Sequence, residues 1–238
     1  MRLVADCHLH TTASGHAYST IAEYAKEAAE KGLEQIAMTD HGPSMPGTSG
    51  ILHFDNLKVI PESMYGVEIL KGMEANIIDY DGSLDTGHLD LSRLQVLIAS
   101  FHDLILPGIN REENTRAMIN AMKNRYVNIL GHPDDSRVEL DYSELAKAAS
   151  DFGVLIEVNN SSLRPTSFRL NAVENYEKLL EECEKHKVYI IINSDAHIHT
   201  DVGEWGEALE LVKRLRYPKE LIANANILRL KERLNIRR

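Results

Sequence analysis

The chain has 238 residues, of which 43% are hydrophobic, and this length predicts one large α/β domain over residues 1–238 rather than two small domains. A formal net charge of −10 argues against binding long nucleic acid, which requires a basic surface to displace counterions. With two cysteines and without an apolar run approaching about 20 residues, the sequence excludes a disulfide-rich secreted domain and a membrane-spanning helix, so we expect a cytoplasmic protein.

The predicted elements alternate between strand and helix. Short apolar segments rich in β-branched residues predict seven strands, at 2–7, 34–39, 67–74, 94–101, 127–131, 154–159 and 188–193. Amphipathic segments between most of them predict helices, at 19–32, 113–124, 141–153 and 171–186. This alternation implies parallel strands that are buried on both faces and can close into a barrel.

Two regions fall outside the alternation. Residues 42–66 form the longest irregular stretch, with Gly, Pro and Ser concentrated near its start, and they are either a lid over a substrate or a packed loop without a chemical role. The basic C-terminus, residues 229–238, predicts a helix end with Leu228, Leu230 and Leu234 at helical spacing and its charges in solvent.

Every predicted strand ends in side chains that can bind a metal or a substrate. In chain order these are Asp6, His8 and His10; Asp40 and His41; Glu74; His102; His132; Glu157, Asn159 and Asn160; and Asp195 and His197. The C-terminal ends of parallel strands converge on one face of a barrel, where such folds carry their active sites. Residues far apart in the sequence should therefore meet there.

The first strand ends in an H-x-H pair. Strand alternation predicts that His8 and His10 share a face with Asp6, and that Cys7 points to the opposite face, into the core under the helices. Imidazole together with carboxylate suits zinc, manganese or iron. H-x-H alone is a weak signal, since a histidine beside a strand is more often structural, but the number of histidines and acids at strand ends favours a metal centre.

Six motifs taken in chain order resemble those of the PHP (polymerase and histidinol phosphatase) superfamily: "DCHLHTTASGHAYS", "MTDHGP", "GMEANI", "ASFHD", "LGHPD" and "NSDAHI". A closer resemblance to the bacterial YcdX-like phosphatases is carried by "ASGHAYSTIAEY", "TDHGPSMP", "EVNNSS" and "SDAH". The resemblance extends over essentially the whole chain. It implies a distorted, TIM-like (β/α)7 barrel that holds three divalent ions, Zn²⁺ first with Mn²⁺ or Fe²⁺ as alternatives, at the C-terminal ends of the strands.

The resemblance also implies the ligands of each ion. The first ion corresponds to His8, His10, Glu74 and Asp195, the second to His102 and His132 with Glu74 as a shared bridge, and the third to His16, His41 and His197. Glu74 and Asp195 are the catalytic candidates, and Asp195 could also orient the attacking water. The same resemblance implies a homo-oligomer, with a trimer expected.

These residues predict a phosphatase or phosphoesterase acting on a small-molecule phosphate ester. A water held between cations has its pKa lowered toward ~7, which supplies a metal-bound hydroxide for in-line attack on phosphorus. The ions would make the pocket positive although the chain is acidic, so an anionic ester is attracted. Arg164 is a candidate contact for the substrate phosphate, because its planar guanidinium matches phosphate geometry; the alternative is a solvated loop arginine.

Three other functions stay open. An amidohydrolase-type C–N hydrolase also begins with H-x-H, but that class commonly places a bridging lysine after strand four, where this chain has "SFHD". A PHP-type exonuclease could accept a nucleotide terminus. A metal-storage or scaffold protein would favour a continuous histidine-rich tract over ligands dispersed along seven strands.

Four further residues could assist the centre or be purely structural. Asp6 and Asp40 adjoin predicted ligands and either accept a ring N–H from them or occupy ordinary turns. His53 and His199 either reach the mouth of the pocket or lie outside it.

Overall fold

The computed structural model describes residues 1–235 and contains eight strands. They are β1 (Ala5–Leu9), β2 (Gln35–Met38), β3 (Ser63–Met64), β4 (Val67–Asn76), β5 (Val96–Ser100), β6 (Ile129–Gly131), β7 (Leu155–Asn159) and β8 (Ile190–Asn193). Seven of them are parallel and pair in the order β1-β2-β4-β5-β6-β7-β8, while the short β3 pairs antiparallel to β4. The predicted seven-stranded barrel is therefore confirmed.

Helices connect most of the parallel strands. They are α1 (Ile21–Glu30), α2 (Ile51–Asp55), α3 (Arg111–Met122), α4 (Tyr142–Phe152), α5 (Asn160–Leu163), α6 (Ala172–Lys185), α7 (Gly206–Arg214) and α8 (Ile227–Arg233). The Thr20-x-x-Glu23 sequence fixes the start of α1 as a capping box, in which each side chain accepts a backbone N–H of the other residue. Within the described residues, every helix is too short or too polar to cross a bilayer.

Two asparagine side chains close the barrel between β1 and β8. The amide of Asn224 donates to the carbonyl oxygens of Ala5 and Ile192, at 2.9 and 2.6 Å, and its Oδ1 accepts the N–H of Ile192. The Oδ1 of Asn193 accepts the N–H of Cys7 at 3.0 Å. Side chains thus replace part of the backbone ladder, and the cylinder is nearly closed.

The barrel interior below the strand ends is filled by small and branched apolar side chains. The parallel strands contribute Ala5, Cys7, Ala37, Leu70, Val96, Ile98, Ile129, Leu155 and Ile191. Leu230 and Leu234 at the C-terminal helix pack against this cluster, whereas Leu228 is exposed. The predicted basic helix is thus present through Arg233, and residues 236–238 lie outside the described part of the chain.

Cys7 belongs to this interior cluster, so the prediction that it packs under the helices is wrong. The cause is an irregularity in the pairing of β1 with β2 between Asp6 and Leu9, which interrupts simple alternation. His8 consequently turns into the barrel, while the carboxylate of Asp6 accepts the N–H groups of Ser194 and Gly203. The prediction that Asp6 shares the face of His8 and His10 is also wrong.

Residues 42–66 form a largely exposed connection with local structure, which Met45, Phe54 and Leu57 anchor by burial. They include α2, a 3-10 turn at Leu57–Val59 and β3. Near their start, Met45 and Pro46 line a cavity that opens at the C-terminal ends of the strands and is called the main cavity. The stretch therefore combines the two predicted alternatives, since its first part borders the site and its remainder packs beside β4.

Candidate metal centre

The ends of the barrel strands bring all nine predicted ligands to one site. Eight lie within or shortly after a parallel strand: His8, His10, His41, Glu74, His102, His132, Asp195 and His197. His16 comes from the loop between β1 and α1, and its ring centroid lies 5.0 Å from that of His41 and 4.9 Å from that of His197. The convergence predicted from the parallel topology is therefore present.

Glu74 lies at the centre of the histidine cluster and is fully buried. Five imidazole nitrogens surround its carboxylate: His8 Nε2 at 3.3 Å, His10 Nε2 at 3.6 Å, His41 Nδ1 at 2.5 Å, His102 Nε2 at 3.4 Å and His132 Nε2 at 2.8 Å. The contacts divide between its two oxygens, so this carboxylate is placed to bridge two cations.

Asp195 forms the second acidic element. Its Oδ1 lies 3.1 Å from His10 Nε2, 3.6 Å from His8 Nε2 and 3.6 Å from His197 Nδ1. The carboxylate is partly accessible from the main cavity, which it lines. Asp195 thus connects the buried histidines with the space open to a substrate.

Several buried atoms at this centre have close polar neighbours but make no hydrogen bond of acceptable geometry among the described residues. They are Nε2 of His8 and of His10, Nδ1 of His41, Oε2 of Glu74 and Oδ1 of Asp195. A buried polar atom without a partner is costly, and nitrogen and oxygen donors of this kind are ligands for divalent metals. The residues present therefore fit a metal centre.

The described residues contain four groups of three residues in which the three possible ligand atoms lie within 4.8 Å of one another. The groups are His8, His10 and Glu74; His41, Glu74 and His102; His10, His41 and His197; and His8, His132 and Asp195. Because the groups overlap, the geometry brings eight of the nine predicted ligands together without dividing them among separate ions, while His16 belongs to none of the groups.

Hydrogen bonds orient four of the imidazoles by the nitrogen that faces away from the centre. The Nδ1 of His8 lies 2.7 Å from Glu157 Oε1, and that of His10 lies 3.2 Å from Ser14 Oγ. The Nδ1 of His102 lies 2.8 Å from Asn76 Oδ1, and that of His197 lies 3.1 Å from the Asp195 carbonyl oxygen. Donation from Nδ1–H to these oxygens leaves the lone pair of Nε2 available for a cation. The arrangement therefore selects the metal-binding tautomer.

The carboxylates of the centre stay ionised although they are buried. Burial alone would raise the pKa of Glu74, but the surrounding imidazoles, His41 and His8 first, hold it well below its usual value. The pKa of Asp195 is likewise held well below its usual value against burial, mainly by His8 and His10. Both groups can therefore offer negative charge to cations.

The histidines differ in their electrostatic surroundings. Burial lowers the pKa of His102 to about 4, with Glu74 opposing the shift. For His8, burial acts in the same direction, but the carboxylates of Glu157, Glu74 and Asp195 outweigh it and raise the pKa well above its usual value. Without a cation, these carboxylates thus favour the protonated form of His8, and a bound cation would replace that proton.

Two of the predicted ligands have a backbone conformation that non-glycine residues rarely adopt. His132 has φ of 29° and Asp195 has φ of 55°. Such conformations cost free energy and persist where the surrounding structure fixes them, often at functional sites. At His132, the backbone N–H donates to Oε2 of Glu157 at 2.9 Å, which anchors the turn after β6.

The sequence analysis named Glu157 among the strand-end candidates but predicted no specific role for it. It is fully buried in β7 and contacts His8 as well as His132. The available signal was an acid inside the apolar segment "VLIEVN", because a buried strand does not hold a carboxylate without partners. Its partners come from distant strands, which periodicity does not identify.

Asp40 acts on the centre through an intermediary. Its Oδ1 accepts the hydroxyl of Ser14 at 2.7 Å, and Ser14 in turn contacts His10. His53 reaches the same carboxylate, with Nε2 3.1 Å from Asp40 Oδ2. His199 instead contacts the Ser19 hydroxyl through Nδ1. Of the four candidates, Asp40 and His53 therefore join the network that orients His10.

A cavity of about 590 Å³ opens above the cluster. Arg164 lines it and donates to Asp201, so the predicted phosphate contact is at the site but already has an acidic partner. Arg169, which the sequence analysis did not select, also lines the cavity; its side chain is only 11% exposed and lies 3.3 Å from Asp134. Both guanidinium groups retain further N–H donors for a phosphate oxygen.

The chain matches the PHP domain family over residues 6–161. A probable phosphatase of Thermoanaerobacter sp. (strain X514) is 46% identical over 235 residues, which cover 98% of this chain and 95% of that protein. A probable phosphatase of Acetivibrio thermocellus is 45% identical over 227 residues, which cover 95% of this chain and 93% of that protein.

A solved structure with the same fold is histidinol phosphate phosphatase from Lactococcus lactis, complexed with zinc, L-histidinol and phosphate. The two chains superimpose with a TM-score of 0.60 at 18% sequence identity, over 90% of this chain and 94% of that chain. At this identity the similarity establishes the barrel architecture.

Proposed function

Because this chain belongs to the PHP domain family, we propose that it is a metal-dependent phosphatase that hydrolyses a small phosphate ester. The observation that carries the proposal is the buried carboxylate of Glu74, which five imidazole nitrogens approach within 3.6 Å. Three of these nitrogens, Nε2 of His8 and of His10 and Nδ1 of His41, make no hydrogen bond of acceptable geometry among the described residues. The probable phosphatases that share nearly the whole chain support the same reaction class.

We assign the nine residues to three divalent ions. His8, His10, Glu74 and Asp195 hold the first; Glu74, His102 and His132 hold the second; and His16, His41 and His197 hold the third. Zinc is the first choice because imidazole and carboxylate suit it, and the Lactococcus structure contains zinc in the same fold. Manganese and iron are compatible with the same donor set.

Bound divalent ions would supply Lewis acidity, ionise a water near neutral pH and neutralise phosphoryl oxygens. The protein's part is to keep Glu74 and Asp195 ionised and to present neutral Nε2 atoms from the oriented imidazoles. Asp195 borders the cavity and accepts the side-chain amide of Asn159 at 3.1 Å, which fixes its carboxylate in position to accept a hydrogen bond from the attacking water.

The arginines of the cavity wall assist phosphate binding. Arg169 is held by Asp134 and lies 3.5 Å from the carbonyl oxygen of His132, next to the metal ligands. Arg164 donates to Asp201 in the wall of the same cavity. Their remaining N–H groups donate to phosphoryl oxygens, and this role adds substrate affinity without a covalent step.

The C–N hydrolase alternative is disfavoured by the end of β5. The chain continues from Ser100 through Phe101 to His102 there, and no lysine lines the cavity in the described part of the chain.

Cytoplasmic location, a single domain over residues 1–238 and a trimer remain predictions. The exonuclease alternative is separated from the phosphatase by experiment.

The test compares three chromogenic compounds under identical conditions: p-nitrophenyl phosphate, bis(p-nitrophenyl) phosphate and p-nitroacetanilide. We expect the monoester to be hydrolysed preferentially by zinc-loaded enzyme, with little release from the anilide. Preferential hydrolysis of the anilide would replace the phosphatase by a C–N hydrolase. Preference for the diester, together with digestion of single-stranded DNA, would favour the exonuclease.

A further inference from the structure

The cavity extends well beyond the metal-binding residues. At its inner end it is lined by predicted ligands, and its volume of about 590 Å³ is in the range that holds an entire small organic molecule. A phosphate group alone would leave most of this space filled with water. The outer part of the cavity is therefore available to the organic part of the substrate.

The outer part presents apolar side chains. Phe101 and Val138 are buried in its wall, while Leu104 and Phe168 at the mouth are 69% and 74% exposed. Ile198 completes the apolar rim. Exposed leucine and phenylalanine side chains gain free energy when a ligand covers them, and their grouping around one opening marks a binding surface.

The charges of the outer part are already matched. Arg137 contacts Asp103 and Asp135, Arg164 contacts Asp201, and Arg169 contacts Asp134. The carboxylate of Asp134 is buried behind the wall, so the three guanidinium groups that line this part are matched by three lining carboxylates, those of Asp103, Asp135 and Asp201. Because the ester phosphate takes the remaining N–H donors of Arg164 and Arg169, the outer part offers no unmatched cation to a second phosphate or a carboxylate on the substrate.

Phe168 is held in place by Arg137 and Arg169. The guanidinium carbon of Arg137 lies 5.3 Å from its ring centroid and that of Arg169 lies 5.8 Å away. Cation–π contacts at this distance orient an exposed ring without burying it. The ring is therefore available as a flat apolar surface beside the cavity.

We propose that the outer cavity selects phosphate monoesters whose organic part is bulky, aromatic or aliphatic, and carries no second anionic group. The inference rests on the proposed phosphatase function and adds the substrate class. The phosphate lies at the metal end, and the organic part packs between Leu104, Ile198 and Phe168.

The test uses esters with matched leaving groups, so that only binding of the organic part differs. Zinc-loaded enzyme should hydrolyse 2-phenylethyl phosphate with a kcat/KM about tenfold or more above that for ethyl phosphate, because burying a phenyl ring contributes at least that factor. A carboxylate in the para position of the ring should remove most of this gain. The hydrolysis-resistant pair 3-phenylpropylphosphonate and propylphosphonate should show the same order of affinity in calorimetry.

Phe168→Ala should lower the kcat/KM ratio of phenylethyl to ethyl phosphate by about threefold or more. The matched control is Phe152→Ala, because Phe152 is also exposed, at 46%, but lies at the end of α4 outside the cavity; its ratio should equal that of the wild type. Equal kcat/KM for the two esters, or a ratio unaffected by Phe168→Ala, would overturn the substrate class while leaving a phosphatase. Absence of phosphate release from either ester by zinc-loaded protein would instead overturn the proposed function.

Discussion

The Nδ1 of His8 lies 2.7 Å from Oε1 of Glu157, and both side chains are fully buried. The other oxygen of Glu157 accepts the backbone N–H of His132, so one carboxylate positions two histidines assigned to different ions. Amide groups from Asn193 and Asn159 also donate to Glu157, one to each oxygen. This carboxylate therefore receives donors on both sides.

Glu157→Gln should lower zinc affinity about tenfold to a hundredfold, the usual effect of losing a partner of a metal-binding histidine. Glutamine retains the size of the side chain, but its NH₂ group replaces one oxygen and cannot accept the N–H donors that this oxygen binds in the wild type. Competition with a chromophoric chelator measures the affinity, and the exposed Glu30→Gln provides the control. Unchanged affinity in Glu157→Gln would show that Glu157 does not position the ligands.

Glu74→Ala should abolish turnover and lower the number of bound ions, because it removes a carboxylate that contacts five imidazoles. Elemental analysis counts the ions, and circular dichroism establishes that the variant is folded. If the variant retained wild-type metal content and activity, Glu74 would not be a bridge.

His16→Ala should weaken one ion selectively. His16 lies at the exposed edge of the cluster beside His41 and His197, so its removal leaves the buried ligands around Glu74 in place. Stepwise chelation followed by elemental analysis should show loss of about one equivalent, while the exposed His88→Ala behaves as the wild type. Equal weakening of all ions would contradict the division into three sites.

Asn224→Ala should destabilise the barrel. The substitution removes three hydrogen bonds to buried backbone groups of Ala5 and Ile192, at about 1 kcal/mol each, and so lowers the free energy of unfolding by about 3 kcal/mol. Urea denaturation followed by circular dichroism measures the change. Asn226→Ala, which removes the N-cap of α8, should cost only about 1 kcal/mol. If the two variants lost the same free energy of unfolding, the side chain of Asn224 would contribute no more to stability than a helix N-cap and would not be needed to close the barrel.

The strands and the convergence of ligands were predictable because their signals are local. Each of the seven predicted apolar segments overlaps one parallel strand, and the parallel topology then places the polar residues that follow on one face. Glu74 illustrates the result: it ends the predicted segment 67–74 and lies at the centre of the cluster. The family resemblance added the order of the motifs and the proposed division among ions.

The remaining features depend on contacts that periodicity does not record. Alternation failed in β1 because an irregular pairing with β2 reverses the face of His8 relative to Asp6. Apart from Asn159, the partners of Glu157 and Asn224 are 25 to 219 residues distant in sequence. Phe168 lies in a loop without a repeating pattern, and its position at the cavity mouth follows only from the packing of the connections around it.

The most direct test of the metal-dependent phosphatase is release of inorganic phosphate from a panel of small phosphomonoesters. Zinc-loaded enzyme, chelated enzyme, chelated enzyme with zinc restored and Glu74→Ala are assayed side by side. We expect release by the first and third samples and none above background by the second and fourth. Release that persists after chelation and in Glu74→Ala, or no release by protein shown to hold its ions, would contradict a phosphatase centred on Glu74.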